Sequence, residues 1–356
     1  MCCGGGWHRR HQRGTRQLNV LLVVIAVLVG AGLLSSCDEQ VGPLAPARTI
    51  ESAAVMTPLP NLGAGAYLGF QGGLYPGGSN VVPDDHAAAG TMAAALIQPL
   101  DAAGNPSPAG KVVLASVGMS TTTQIYCHVD WEPVTCNSWT FTGQALRAAD
   151  VNHESLVFFN GAASAQTSTF WDSPFEYNYT RVDSMLAARG LSPAQVQVAW
   201  ILLVRHPTKD SPTKELTLPD PEANARRLER DLGAVVRSMQ ERWPNLRLVY
   251  LSSYPYGGYD TSGVVKEPYA YESGFAVKWV IEAQIEQART GTIDAEAGDL
   301  SGAWLAWGPY YWVSKSKRSL FESDGRHPSR TGEKQWGGML LEYLRAAPTA
   351  QVWFLR

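Results

Sequence analysis

The stretch Val196-Gln-Val-Ala-Trp-Ile-Leu-Leu-Val204 is apolar at odd and even positions alike, with Gln197 the one polar interruption. A strand written this way has no side left for water, which is the pattern of a strand covered on both faces in a parallel sheet. Downstream, Pro221 to Trp243 places Leu228, Leu232, Val235, Met239 and Trp243 at three- and four-residue spacing. That is the buried stripe of an amphipathic helix. Asp220 stands where a cap is needed, Pro221 suits the first helical position, and Pro244 ends the helix. Leu246-Arg-Leu-Val-Tyr-Leu251 then reads as the next strand. Strand, helix, strand is a βαβ unit, and it sets the expectation for the rest of the chain.

Working outward, Lys111 to Val117 and Ser155 to Phe159 repeat the apolar strand pattern, and helices are expected over Ser273 to Ala288 and Gly332 to Leu344. On that last-but-one helix Lys278, Glu282 and Glu286 fall four apart, the spacing of a solvated face with a weak ion pair. The alternation predicts an α/β fold: a three-layer α/β/α sandwich around a mostly parallel central sheet. Sites in such sheets lie beyond the carboxyl ends of the strands.

Composition narrows the function. The chain has 356 residues, is 45% hydrophobic and 17% charged, and its 34 Gly and 22 Pro are ordinary usage, which excludes collagen-like or largely disordered chains. With 29 Lys and Arg against 32 Asp and Glu, and no basic stripe interleaved with aromatics, nucleic acid is not an expected partner. The 12 Trp and 14 Tyr are the excess to be explained.

Arg9, Arg10, Arg13 and Arg16 precede an apolar run from Val20 to Leu34, followed by Leu34-Ser-Ser-Cys37. A cationic start, a short apolar core and small residues before a cleavage point describe an export signal, and the run is short for a membrane span. The Cys after Leu-Ser-Ser resembles the bacterial lipobox, whose Cys carries lipid; an uncleaved anchor with a chance Cys is the competing assignment. The expected organisation is a lipoprotein signal peptide over 1–36, a Pro-, Ala- and Thr-rich tether over 37–62, and one domain over 63–356. The protein is then an exported lipoprotein, held at a membrane through Cys37. Cys127 and Cys136 flank a short Pro-containing loop and most simply form a disulfide in an exported protein. A metal site built on these thiols and His128 lacks a nearby fourth ligand, and no metal or other cofactor is expected.

Two segments can carry chemistry. Gly118-Met-Ser120 follows a strand, so the Ser120 hydroxyl can stand at a strand's carboxyl end. It is not a nucleophile elbow, because Thr122 occupies the position of that motif's second Gly. Far downstream comes Ser323-Asp-Gly-Arg-His-Pro-Ser329. Asp324 and His327, three apart, can face each other, the carboxylate holding one ring nitrogen while the other takes a proton from a hydroxyl. A solvated turn with Asp324 as a helix cap is the competing assignment.

Gly-x-Ser after the first apolar strand, Asn160-Gly-Ala162 after the next, and Asp-x-x-His-Pro near the C-terminus together resemble the SGNH (GDSL-like) hydrolases. Gly72 to Gly78, Ser252-Ser253, Glu267 to Trp279 and Trp307-Gly-Pro-Tyr310 resemble an uncharacterised bacterial branch of that superfamily, from about Tyr67 onward. The resemblance implies a flavodoxin-like fold and a serine esterase. Ser120 would be nucleophile, His327 general base and acid, and Asp324 its orienter, with the backbone N–H groups of Ser120 and Gly161 as the oxyanion hole. The family's Gly-x-Asn-Asp block is absent after the Val196 strand, where Val204-Arg-His-Pro207 stands instead. Arg205 and Asn160 are the candidates to replace its donor. Glu267 and Glu272 match family positions without an assigned role. Trp304, Trp307, Tyr310, Tyr311 and Trp312 precede the Asp-His segment. Rings beside a cleft suit sugar faces, so Asn160, Trp307 and Tyr310 are candidate substrate contacts; core and rim packing is the alternative. The expected substrate is an extracellular ester, with a carbohydrate ester suggested by the rings, losing an acyl group such as acetyl. Transfer of the acyl group to a sugar, or glycan binding without catalysis, are the other readings of the same residues.

Overall fold

The computed structural model describes residues 56–128, 135–207 and 216–356. The signal segment, Cys37 and the tether up to residue 55 lie outside the described residues. Five parallel strands form the central sheet: β1 (Val112–Gly118), β2 (Leu156–Asn160), β3 (Val196–Leu202), β4 (Leu248–Leu251) and β5 (Trp304–Trp307). Their spatial order is β2-β1-β3-β4-β5, and every neighbouring pair is parallel. This is the doubly wound order in which the chain reverses direction across the sheet between β1 and β3. Every residue of β1, β3, β4 and β5 is buried, which is why these strands lack polar alternation.

The principal helices are α1 (Asp84–Ala95), α2 (Ser120–Tyr126), α3 (Tyr177–Ala188), α4 (Asn224–Arg242), α5 (Tyr269–Thr290), α6 (Arg330–Ala346) and α7 (Pro348–Phe354). On one face, Val113, Ala115, Ala199 and Ile201 pack with Val182 of α3, Leu228 and Leu232 of α4, and Val280 of α5. On the other, Leu114, Val198 and Trp200 pack with Ile125 of α2, Leu340 of α6 and Phe354 of α7. Helices cover both faces of the sheet, as the apolar strands require. Burying a side chain such as Leu228 contributes about 1.5–3 kcal/mol.

Several boundaries differ from expectation, each for a tertiary reason. Helix α4 begins at Asn224, not Pro221, because the Asn224 N–H is drawn to the Leu216 carbonyl at 2.8 Å while Asp220 closes a separate turn through the Glu222 N–H. Helix α5 starts at Tyr269, earlier than Ser273, because the Glu267 carboxylate accepts the Tyr271 N–H at 3.0 Å. That carboxylate also accepts from the Gly257 N–H and from Trp312 Nε1, so Glu267 is a buried junction between loops. Glu272 accepts from Tyr67 Oη and the Leu218 N–H, and burial pushes its carboxyl up to about 8. The solvated face expected around Lys278 is not one. A short antiparallel hairpin, 66–71, returns over it, and the buried ammonium donates to the carbonyls of Gln71 and Gly72 at 3.0 and 2.8 Å, with Glu282 at 3.2 Å. Glu286 instead pairs with Arg289 at the surface.

Thr57 and Leu59, within the span expected as tether, are bonded to the domain. Leu59 is fully buried and donates its N–H to Tyr310 Oη, and Thr57 accepts from Tyr271 Oη. Among the described residues no helix is long and apolar enough to cross a membrane, and no group of His, Cys, Asp or Glu is placed to hold a metal ion.

The carboxyl end of β1 is tied down at Gly118. Thr122 Oγ1 donates to the Leu202 carbonyl at 2.6 Å and accepts the Met119 N–H at 3.2 Å. It can lie there only because residue 118 has no side chain: a Cβ would meet Thr122 Oγ1 at 2.1 Å and the Leu202 carbonyl oxygen at 2.5 Å. Gly118→Ala is therefore expected to lower the unfolding free energy by about 1–3 kcal/mol, read from urea unfolding. An unchanged midpoint would show that the turn has slack.

Candidate active site

Strand β1 delivers the chain to its carboxyl end, where Met119 is extended at φ −106° and Ser120 opens helix α2. The next residue, Thr121, shares a 2.5 Å hydrogen bond with the buried Tyr254 hydroxyl. The far end of α2 is also fixed. Cys127 and Cys136 are disulfide-bonded, and the buried Glu333 of α6 takes hydrogen bonds from His128 Nδ1 and Trp139 Nε1. Ser120 thus sits on a short helix anchored at both ends. Asn160 pairs with Ser116 in the β1–β2 register, so Gly161 follows β2 beside the last residues of β1. Its carbonyl accepts from Arg181 Nη2 at 2.5 Å.

The second half of the site lies in the loop between β5 and α6, also beyond a strand's carboxyl end. Asp324, Gly325, Arg326 and His327 form a tight turn closed by the Glu322 N–H to the His327 carbonyl at 2.8 Å. Gly325 takes φ +71°, and a Cβ there would meet the Tyr259 carbonyl oxygen at 1.8 Å. Within the turn, Asp324 Oδ1 accepts the backbone N–H groups of Arg326 and His327 at 3.0 and 3.1 Å, and Oδ2 meets His327 Nδ1 at 2.5 Å. His327 Nε2 is then 2.7 Å from Ser120 Oγ. Hydroxyl, imidazole and carboxylate, 207 residues apart at their extremes, form one hydrogen-bonded chain.

Electrostatics favour an ionised Asp324. Partial burial pulls its carboxyl upward, but the two backbone donors and the imidazole outweigh burial and hold it below the usual carboxylate range. An ionised carboxylate only accepts, so it selects the tautomer with the proton on Nδ1. Nε2 then presents its lone pair to the hydroxyl.

Ser120 and His327 open onto a cavity of about 360 Å³ with Met119, Thr167, Phe170, His206, Val264 and Arg326 in its walls. The expected substrate contacts are elsewhere. Asn160 is buried and its side-chain carbonyl accepts from Ser116 Oγ at 2.7 Å. Trp307 is part of β5 and donates Nε1 to the Leu74 carbonyl, and Tyr310 Oη holds the Leu59 N–H. Both rings face a different, larger groove of about 580 Å³ with Leu74, Trp304 and Tyr343. Trp304, Trp307, Tyr311 and Trp312 are buried and pack in the core, while Tyr310 is half-buried at the groove. Arg205 is likewise drawn off, its Nη1 lying 2.6 Å from Asp231 Oδ2 on α4.

Sequence reasoning missed Arg326 and His206 as cavity walls. Arg326 sits next to His327 in the quoted heptapeptide, and a cation beside a triad imidazole is the signal that could have found it. His206 stands in the segment that departs from the family block, so its position alone marked it.

No protein-family model matches the chain, and no curated protein matches it. Solved structures do. A protein described as an SGNH hydrolase from Slackia heliotrinireducens is 14% identical, with 66% of this chain and 100% of that one covered and a TM-score of 0.35. A family 2 carbohydrate esterase from Clostridium thermocellum is 15% identical over 69% of this chain and 64% of its own, TM-score 0.36. An extracellular lipase from Streptomyces rimosus is 16% identical over 66% and 99%, TM-score 0.31. These are distant likenesses, and the α/β/α fold rests on the strand order and layers of the chain itself.

Because the folded-state carboxyl of Asp324 is depressed, its contribution to stability is present above its unfolded value and is lost as pH falls through the folded one. Urea unfolding is expected to show wild type losing more stability than Asp324→Asn on acidification from neutral pH to below the usual carboxylate range. Parallel losses in the two proteins would contradict a depressed Asp324.

Proposed function

We propose that the protein is a serine hydrolase of the SGNH type that cleaves an ester by acyl transfer through Ser120. The observation that carries this reading is the chain from Ser120 Oγ through His327 to Asp324, at 2.7 and 2.5 Å, opening onto a cavity. In the reaction Ser120 Oγ attacks the ester carbonyl carbon as its proton passes to His327 Nε2. Asp324 steadies the imidazolium through Nδ1–H. Negative charge gathers on the carbonyl oxygen, where the backbone N–H groups of Ser120 and Gly161 are the proposed donors. Removing one such donor typically costs about 2.7–4 kcal/mol of barrier stabilisation. The imidazolium then protonates the departing alcohol. Water enters, gives its proton to His327, and releases the acid with Ser120 restored.

The sugar preference inferred from aromatic rings loses its support, since Trp307 and Tyr310 line another groove. The substrate is therefore proposed as an ester without that restriction. Export and lipid attachment at Cys37 belong to the same proposal and rest on the sequence of residues 9–37. Cys37→Ser is expected to abolish incorporation of labelled palmitate into the protein; unchanged incorporation would remove Cys37 as the lipid site.

A fluorophosphonate probe is expected to label the full chain at Ser120. Ser120→Ala should abolish labelling, and His327→Ala should lower ester turnover by at least about a thousandfold. Labelling that survives Ser120→Ala would sink the assignment of the nucleophile.

A further inference from the structure

Resting on the hydrolase reading, we infer that the site selects esters bearing an anionic group close to the scissile bond, and that Arg326 is the residue that recognises it. Arg326 shares the cavity wall with Ser120 and His327. Its side chain is only 22% exposed, yet the guanidinium is poorly used by the protein. Nη1 donates to Ser262 Oγ at 3.0 Å, and Nε has no hydrogen-bond partner among the described residues. Nη2 stands 3.8 Å from Asp324 Oδ2, beyond hydrogen-bond reach.

Asp324 and Arg326 form an ion pair at 3.8 Å without a hydrogen bond, and the Asp324 oxygens accept instead from His327 Nδ1 and two backbone N–H groups, so the guanidinium N–H donors are left for another acceptor. Asp260, the nearby acid on the Ser262 loop, is also occupied: its oxygens accept from Ser262 and from the Val265 N–H. Arg205 cannot serve in place of Arg326, since it is paired with Asp231.

A guanidinium carries five donors, and leaving them under-used in a partly buried wall is costly unless an acceptor arrives. A carboxylate on the substrate would supply charge-assisted hydrogen bonds of the stronger kind. Arg326 directly precedes His327, so the anion would be held one residue from the general base. Arg326 would then fix which carbonyl is presented to Ser120.

Two matched ester pairs test this with the full chain. Para-nitrophenyl hemisuccinate against para-nitrophenyl butyrate places the charge on the acyl side. Meta-acetoxybenzoate against phenyl acetate places it on the alcohol side. The wild type is expected to favour the anionic member of at least one pair by about tenfold or more in kcat/KM, chiefly through KM. Arg326→Gln is expected to lower kcat/KM for that anionic ester about tenfold more than for its neutral mate, with Arg326→Lys restoring part of the difference.

Preference for the neutral member of both pairs, or equal losses within a pair in Arg326→Gln, would overturn the inference and leave Arg326 a structural brace for the Ser262 loop. If no ester is turned over and the fluorophosphonate leaves Ser120 unlabelled, it is the hydrolase reading that fails. The anion site is then read by calorimetry with succinate and benzoate. Binding by wild type that is lost in Arg326→Gln supports it, and no binding by wild type overturns it.

Discussion

One carboxylate organises the site. The two oxygens of Asp324 gather three N–H donors, two from the backbone of its own turn and one from the imidazole of His327. The same bonds that fold the turn therefore also orient the ring. Position and tautomer of His327 are one geometry, and Gly325 makes that geometry possible by taking a backbone conformation other residues resist. Ser120 needs only to be brought to Nε2, and strand β1 does so.

The sheet supplies the delivery. Ser120 follows β1 and the Asp-His turn follows β5, so both halves emerge at the carboxyl edge. Between them lie β3 and β4, and the loops from those strands close the gap: Tyr254, after β4, reaches Thr121, and Leu202, ending β3, receives Thr122. The helix that carries Ser120 is pinned by elements distant in sequence at its start and by a disulfide and Glu333 at its end.

Much of this was legible in the residues. Continuous apolar runs marked four of the five strands, and the stripe on α4 marked its buried face, because burial on both sides of a sheet leaves a plain trace in composition. The Gly-x-Ser and Asp-x-x-His segments marked the candidate chemistry by residue type and by their place after strands. What escaped detection depends on contacts between distant parts. Trp304-Leu-Ala-Trp307 reads with the rings at 310–312 as an aromatic cluster, and its pairing with β4 shows it to be a strand. Lys278 was misplaced because nothing in helical spacing reports a hairpin folding back over it. The starts of α4 and α5 moved because the Leu216 carbonyl and the Glu267 carboxylate compete for N–H groups that local rules assign elsewhere.

The distance along the chain between Ser120 and His327 has a consequence for the life of the molecule. The serine is made early and its imidazole late, after strands β2 to β5 have been laid down and shortly before the chain closes with α6 and α7. A chain still leaving the ribosome carries an ordinary hydroxyl at position 120. The hydrogen-bonded chain through Ser120, His327 and Asp324 therefore cannot assemble until the loop after β5 has been made, and a chain cut short before residue 324 lacks two of its three members.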